Sequence, residues 1–170
     1  MSRAFTKEED GRSELLVVPR APLPSGSPNY VTPRGLRQLQ AEQAALDQER
    51  SVVEASDSAD RVARLNALAQ RALELQARLA SAEIVDPRCQ SHDRVLFGAQ
   101  VRVRHETGVE SQYRIVGVDE ADAGAGLLAF SAPLARALLG KRVGEVAFLQ
   151  TPRASEELEV LEIGYGICNG

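Results

Sequence analysis

Few residues in this chain are of a type and spacing that could do chemistry. The two cysteines, Cys89 and Cys168, stand far apart, match no metal-ligand spacing, and read as free thiols in a linker and a tail. His92 and His105 have no acidic or cysteine cluster beside them in sequence and read as surface residues. What remains is an acidic stretch, Glu54-Ala-Ser-Asp57-Ser-Ala-Asp60. Asp and Ser in such a run favour turns and helix caps. The same carboxylates are hard-oxygen ligands of the kind Mg²⁺ accepts. Residue type alone leaves both readings of Glu54, Asp57 and Asp60 open.

The composition narrows what these residues can belong to. The chain has 170 residues and a formal charge of −4, with 44% hydrophobic residues, which excludes a wholly disordered chain. No apolar run approaches the ~20 residues of a membrane span, so no membrane partner is expected. The opening MSRAFTKEED is charged from the start and lacks the apolar core of a signal peptide, so a cytoplasmic protein is expected. Acidic residues equal or outnumber basic ones in each of the segments 1–30, 31–86 and 87–170, which disfavours free duplex DNA as a partner. Aromatic residues make up only 4%, too few for a large aromatic pocket.

The acidic stretch must be positioned by its flanks. Residues 1–29 are rich in Pro, Ser and Gly and read as a flexible tail. Thr32-Pro33 reads as a helix start, with a Thr cap and Pro in the first turn. Leu36, Leu39, Gln43, Leu46, Arg50 and Val53 then follow at steps of three and four, as do Leu65, Leu68, Ala72, Leu75, Leu79 and Ala82. This is the a/d pattern of two helices, each with a seam. Placing Leu36 and Leu65 at a puts Glu42 and Glu49 at g of the first helix and Arg64, Arg71 and Arg78 at g of the second. An antiparallel hairpin would then pair Glu49 with Arg64 and Glu42 with Arg71, turning between Ser56 and Asp57. One continuous helix of about 50 residues that dimerises is the competing arrangement.

Beyond Pro87 the period changes. Residues 95–97, 101–103, 113–116, 127–130, 146–148 and 158–163 read as short strands split by glycines, and Pro133–Leu139 as one short helix. The fold class is therefore α+β: a coiled-coil hairpin over 30–86 with an acidic tip, then a mostly antiparallel β domain over 87–170.

This layout resembles the bacterial Gre transcription elongation factors. The resemblance rests on Tyr30-Val-Thr-Pro-Arg-Gly-Leu36, Ile84-Val-Asp86, Val95-Leu-Phe-Gly-Ala99, Arg114-Ile-Val-Gly-Val-Asp-Glu120, Pro133-Leu-Ala-Arg-Ala-Leu-Leu139 and Val143-Gly-Glu145. The opening residues and Pro-rich tail resemble the GreB branch. The resemblance implies an FKBP-like C-terminal domain that binds RNA polymerase at its secondary channel. Asp119, Pro133, Leu134, Ala135 and Leu138 fall near the implied contact. It further implies a coiled coil entering the channel as part of a monomer, with Asp57 and Asp60 near the 3′ end of nascent RNA. There the tip carboxylates would help polymerase hold a shared Mg²⁺, with Glu54 a weaker candidate and no cofactor of the chain's own. Such a protein is no enzyme but stimulates RNA cleavage by polymerase.

Three departures bear on that expectation. The family's tip reads roughly Gly-Asp-x-x-Glu-Asn-Ala, whereas this chain has Ser56-Asp57-Ser-Ala-Asp60-Arg61-Val62. Each helical arm is about one heptad shorter, a loss of ~10 Å of reach. Ala132 stands where Gre proteins have Ser, a feature shared with Rnk, a Gre-like protein that binds polymerase without cleavage. A channel-occupying regulator or anti-Gre factor is thus one alternative, an FKBP-like prolyl isomerase another, and a coiled-coil interaction module unrelated to transcription a third.

Overall fold

The computed structural model describes residues 20–150, 152 and 155–165. Residues 1–19 of the tail expected over 1–29, and Cys168, lie outside the described residues; the rest of that segment is not a free tail, since Arg20 is ion-paired and Asn29 begins a strand.

Helix α1 runs from Pro33 to Glu54. Thr32 caps it in extended conformation, its hydroxyl accepting a hydrogen bond from the Gly35 N–H at 2.9 Å. Helix α2 runs from Arg61 to Ala80. The two pack through Leu39, Leu46 and Val53 on one side and Leu68 and Leu75 on the other, all buried. These are the d positions of the expected heptads. The a positions contribute less: Leu36 and Leu65 are half-buried, and Arg50 is exposed, where it pairs with Glu54. Six residues, 55–60, separate the helices, so the chain turns back and is not one continuous helix.

The charge register differs from the expected one. Arg71 pairs with Glu49 at 3.7 Å, one heptad away from the expected Glu42. Glu42 instead bonds Arg20 at 2.5 Å, and Arg64 makes no ion pair among the described residues. The apolar seam explains this outcome. Burying five large side chains outweighs an exposed ion pair of ~0.2–1 kcal/mol, so the seam sets the register and the charges follow.

Two three-residue strands, β1 (Asn29–Val31) and β2 (Ala82–Ile84), close the base of the hairpin as a parallel pair. Sequence alone did not mark them, because three residues carry no period. The remaining strands are β3 (Gln100–His105), β4 (Glu110–Val116), β5 (Leu127–Ala129), β6 (Val146–Gln150) and β7 (Ser155–Gly164). They form one sheet in the order β5-β4-β3-β7-β6, antiparallel except for β4–β5. Alternation along β3 puts Val101 and Val103 inside and Arg102 and Arg104 outside. Helix α3 (Pro133–Leu138) covers the core with Ala135 and Leu138, both fully buried. Residues 95–97, expected as a strand, join no sheet. Val95 instead exchanges backbone bonds with Gly140 and Lys141, and the Leu96 N–H donates to the Tyr165 hydroxyl. Gly98 at φ +84° then turns the chain away.

Candidate functional site

The acidic tip lies at the far end of the hairpin. Its turn is centred between Asp57 and Ser58, one residue on from the expected point. The Ser56 hydroxyl donates to the Val53 carbonyl at 2.8 Å and stops α1. Glu54, the last residue of α1, is held by Arg50, whose Nε donates at 2.8 Å. Asp57 and Asp60 are exposed, and their side chains make no hydrogen bond or ion pair among the described residues. Asp60 occupies the cap position of α2 yet makes no side-chain cap bond, because its φ of −92° and ψ of 4° depart from the extended cap geometry. Two carboxylates therefore face solvent unengaged, three residues apart, while Glu54 is partly neutralised.

That donor set matches hard-cation chemistry only in part. Among the described residues no group of three or more His, Cys, Asp or Glu could hold a metal ion. Asp57 and Asp60 could complete the shell of a Mg²⁺ whose other ligands come from elsewhere, since Mg²⁺ is bound through one or two carboxylates plus water and phosphate oxygens.

The polymerase-contact candidates separate into two groups. Pro133 is exposed and Leu134 half-buried, so the start of α3 presents a surface. Ala135 and Leu138 are core residues. Asp119 also points inward, with its side chain 8% exposed, bonding Arg20 Nη1 at 2.7 Å and lying 3.2 Å from Arg78 Nε. Ala135 and Leu138 thus pack the core, and the Asp119 side chain is engaged with Arg20 and Arg78.

Asp119 belongs instead to a polar junction between hairpin and β domain that sequence reasoning missed. Next to it, Glu120 is buried and accepts a 2.5 Å hydrogen bond from the Thr32 hydroxyl. The helix cap of α1 is thereby tied to the loop after β4. Within the hairpin, Asn29 of β1 donates to the Arg78 carbonyl at the end of α2 at 2.8 Å. Arg78, expected on an outer charge stripe, is 7% exposed and donates to the Ala21 carbonyl. Burial alone would lower the pKa of Arg20, but hydrogen bonds and charge from Glu42 and Asp119 outweigh it and the net shift is upward. Two glycines carried a signal of this junction. A Cβ on Gly117 would lie 2.6 Å from the Tyr30 carbonyl oxygen, and one on Gly35 would lie 2.8 Å from Glu120 Oε2. A glycine in the first turn of a helix costs stability and points to such close approach.

Of the β-domain aromatic residues, Phe97, Tyr113, Phe130 and Tyr165 pack on the core, while Phe148 is exposed. Phe97 and Phe130 form a cluster with Tyr30, with ring centroids 5.7–6.0 Å apart. The Tyr165 hydroxyl donates to the Arg94 carbonyl at 2.6 Å.

Comparison with known proteins bears on the region just described. Residues 90–165 match the family model for the C-terminal part of the transcription elongation factors GreA/GreB. Over these residues the chain is similar to the C-terminal part of GreA/GreB factors. Curated relatives agree over a wider span. A GreA of Alkalilimnicola ehrlichii is 39% identical over 97 residues, covering 56% of this chain and 61% of that protein. A GreA of Yersinia pestis is 41% identical over the same length and shares. The chain thus spans about three fifths of the length of the curated relatives it matches. Among solved structures, Gfh1 of Thermus thermophilus is 22% identical with a TM-score of 0.39, covering 81% of this chain and 99% of that one. A GreA/GreB factor of Nitrosomonas europaea is 21% identical with a TM-score of 0.40, covering 82% and 99%. The Gre region takes in α3, the surface at Pro133 and Leu134, and the buried carboxylates Asp119 and Glu120.

Proposed function

We propose that this chain is a Gre-type factor that docks on RNA polymerase through residues 87–165 and projects its hairpin into the secondary channel. The observation that carries the reading is the combination of a GreA/GreB C-terminal region with a hairpin whose free end presents Asp57 and Asp60 unpartnered. In this reading the chain catalyses nothing itself and works as a cytoplasmic monomer. The finer description of its β domain as FKBP-like belongs to the same proposal, as does closeness to GreB, which rests on the opening residues and the Pro-rich stretch up to residue 29. Asp57 and Asp60 would add ligands to a Mg²⁺ held by polymerase, close to the nascent RNA 3′ end. A metal ion placed there activates water and stabilises the in-line displacement that cleaves RNA.

A second reading is a channel-occupying regulator without cleavage. It is favoured by the length of the arm: 22 residues in α1 give about 33 Å. Asp60 is also one methylene shorter than the family's Glu. A displacement of ~1 Å can cost ~100-fold in rate, so a ~10 Å shortfall would abolish cleavage unless the whole domain shifts inward. Use of Phe97, Tyr113, Phe130 and Tyr165 in the core weighs against the prolyl isomerase.

Two measurements on the full chain test these readings. The first is competition with a cleaving Gre factor for core polymerase; absence of competition at excess refutes both. The second is RNA release from a stalled, backtracked complex. Cleavage abolished by Asp57→Ala/Asp60→Ala supports the cleavage factor, and retained competition without cleavage supports the channel-occupying regulator.

A further inference from the structure

The hairpin is tied to the β domain at its base by Thr32–Glu120 and Arg78–Asp119. Both ties gather where α1 begins and α2 ends, so together they form a pivot. A contact near a pivot resists sliding well but resists tilting poorly, because its lever arm is short. One contact acts further out. Arg20, from the segment before β1, bonds Asp119 on the β domain at 2.7 Å and Glu42 on α1 at 2.5 Å. Glu42 lies nine residues beyond Pro33, which places it ~13 Å along the arm. The strap carrying Arg20 is itself seated: the Ala21 carbonyl accepts from Arg78, and Leu23 lies against a cleft of about 340 Å³ with Ala77 and Ser81.

We propose that Arg20 is an angular brace, and that residues 20–28 form a strap that fixes the tilt of the hairpin on the β domain. The guanidinium suits this task because its planar fork can hold two carboxylates at once with fixed geometry. Its effect grows along the arm. The tip lies ~33 Å from the start of α1, so a tilt moving Glu42 by ~2 Å moves Asp57 by ~5 Å. A brace at Glu42 thus suppresses tip excursions more than twice as large as the slack it removes. The strap precedes the Gre region, so a chain with this brace controls the aim of its hairpin with residues outside that region. This inference concerns the free chain and stands whether or not polymerase is the partner.

The test is a distance distribution between tip and β domain in the full chain. Cys89→Ser and Cys168→Ser remove the native thiols, and Ser58→Cys and Val143→Cys, at exposed positions, carry spin labels. Pulsed electron resonance on this background should give one narrow distribution. Arg20→Ala should broaden it, with far-ultraviolet circular dichroism unchanged. Glu42→Gln, an isosteric change at a half-exposed helix position, should broaden it to a similar extent. The double substitution should add little, because either change cuts the same link. An unaltered distribution in both single variants would overturn the brace. So would equal broadening by Arg50→Ala, which breaks an ion pair within α1 and touches no part of the junction.

Discussion

The carboxylate of Glu120 is the junction group whose removal is expected to cost most. Its side chain is 2% exposed and its Oε2 accepts from Thr32 at 2.5 Å, while Arg34 Nε lies 4.0 Å from Oε1. Glu120→Ala removes a hydrogen bond to a charged group, worth ~1.5–3 kcal/mol. It also removes an anion beside the first turn of α1, worth ~0.3–1 kcal/mol. The exposed side of Arg34 limits that pair to less than ~1 kcal/mol. Relief of the buried charge offsets part of the sum, so a net loss of ~2–3 kcal/mol is expected. Glu120→Gln keeps an acceptor for Thr32 and should lose about half as much. The assay is urea unfolding of the full chain, with Thr32→Val completing a double-mutant cycle. A coupling energy of ~1–2 kcal/mol between positions 32 and 120 is expected, as for residues in one buried hydrogen-bonded network. If Glu120→Ala falls within ~0.5 kcal/mol of wild type, and the coupling vanishes, the carboxylate does not hold α1 to the β domain and the reasoning fails.

Two further outcomes follow from other parts of the structure. Gly117→Ala should destabilise the junction by ~1–3 kcal/mol, because the new Cβ would sit 2.6 Å from the Tyr30 carbonyl and force the backbone apart; a melting temperature equal to that of wild type would show that β1 can yield. Hydrogen bonds from Arg88 hold the Asp86 carboxyl at about 2 against an ordinary 3.8, and hydrogen bonds from Ser91 and Arg94 do the same for Asp93. Because both pKa values are lower folded than unfolded, their local stabilisation is complete above the ordinary value and is lost as pH falls through about 2. Carboxyl carbon chemical shifts followed from pH 6 downward should show both midpoints well below the ordinary 3.8, and midpoints near 4 for Asp86 and Asp93 would contradict the geometry.

The two helices, the turn between them and most strands of the sheet were legible in the sequence because they repeat. Leu39, Leu46 and Val53 recur every seven residues, and Val101 and Val103 alternate with arginines, so a buried stripe or face follows from spacing alone. That Asp57 and Asp60 lie in a short polar turn was equally readable, whereas the absence of a cap bond at Asp60 was not. Charge register was not readable: Glu42, Glu49, Arg64 and Arg71 fit two registers one heptad apart, and the apolar seam together with Arg20 chose between them. Nor was the absence of a strand at 95–97, where an apolar triplet joins the core through Lys141, Gly140 and Tyr165 without entering a ladder.

What only the tertiary structure decided is the junction. Arg20, Glu42, Arg78 and Asp119 lie on four separate segments, and Thr32 and Glu120 are 88 residues apart. No local rule distinguishes Asp119 on an exposed loop from Asp119 held between arginines, because its neutralising partners are supplied by the segment before β1 and by α2. Sequence by itself determined which elements form, since a periodic apolar pattern fixes which face each one buries. Which charges meet depended on how those faces were brought together, because a buried carboxylate is stable only where the fold delivers a donor to it.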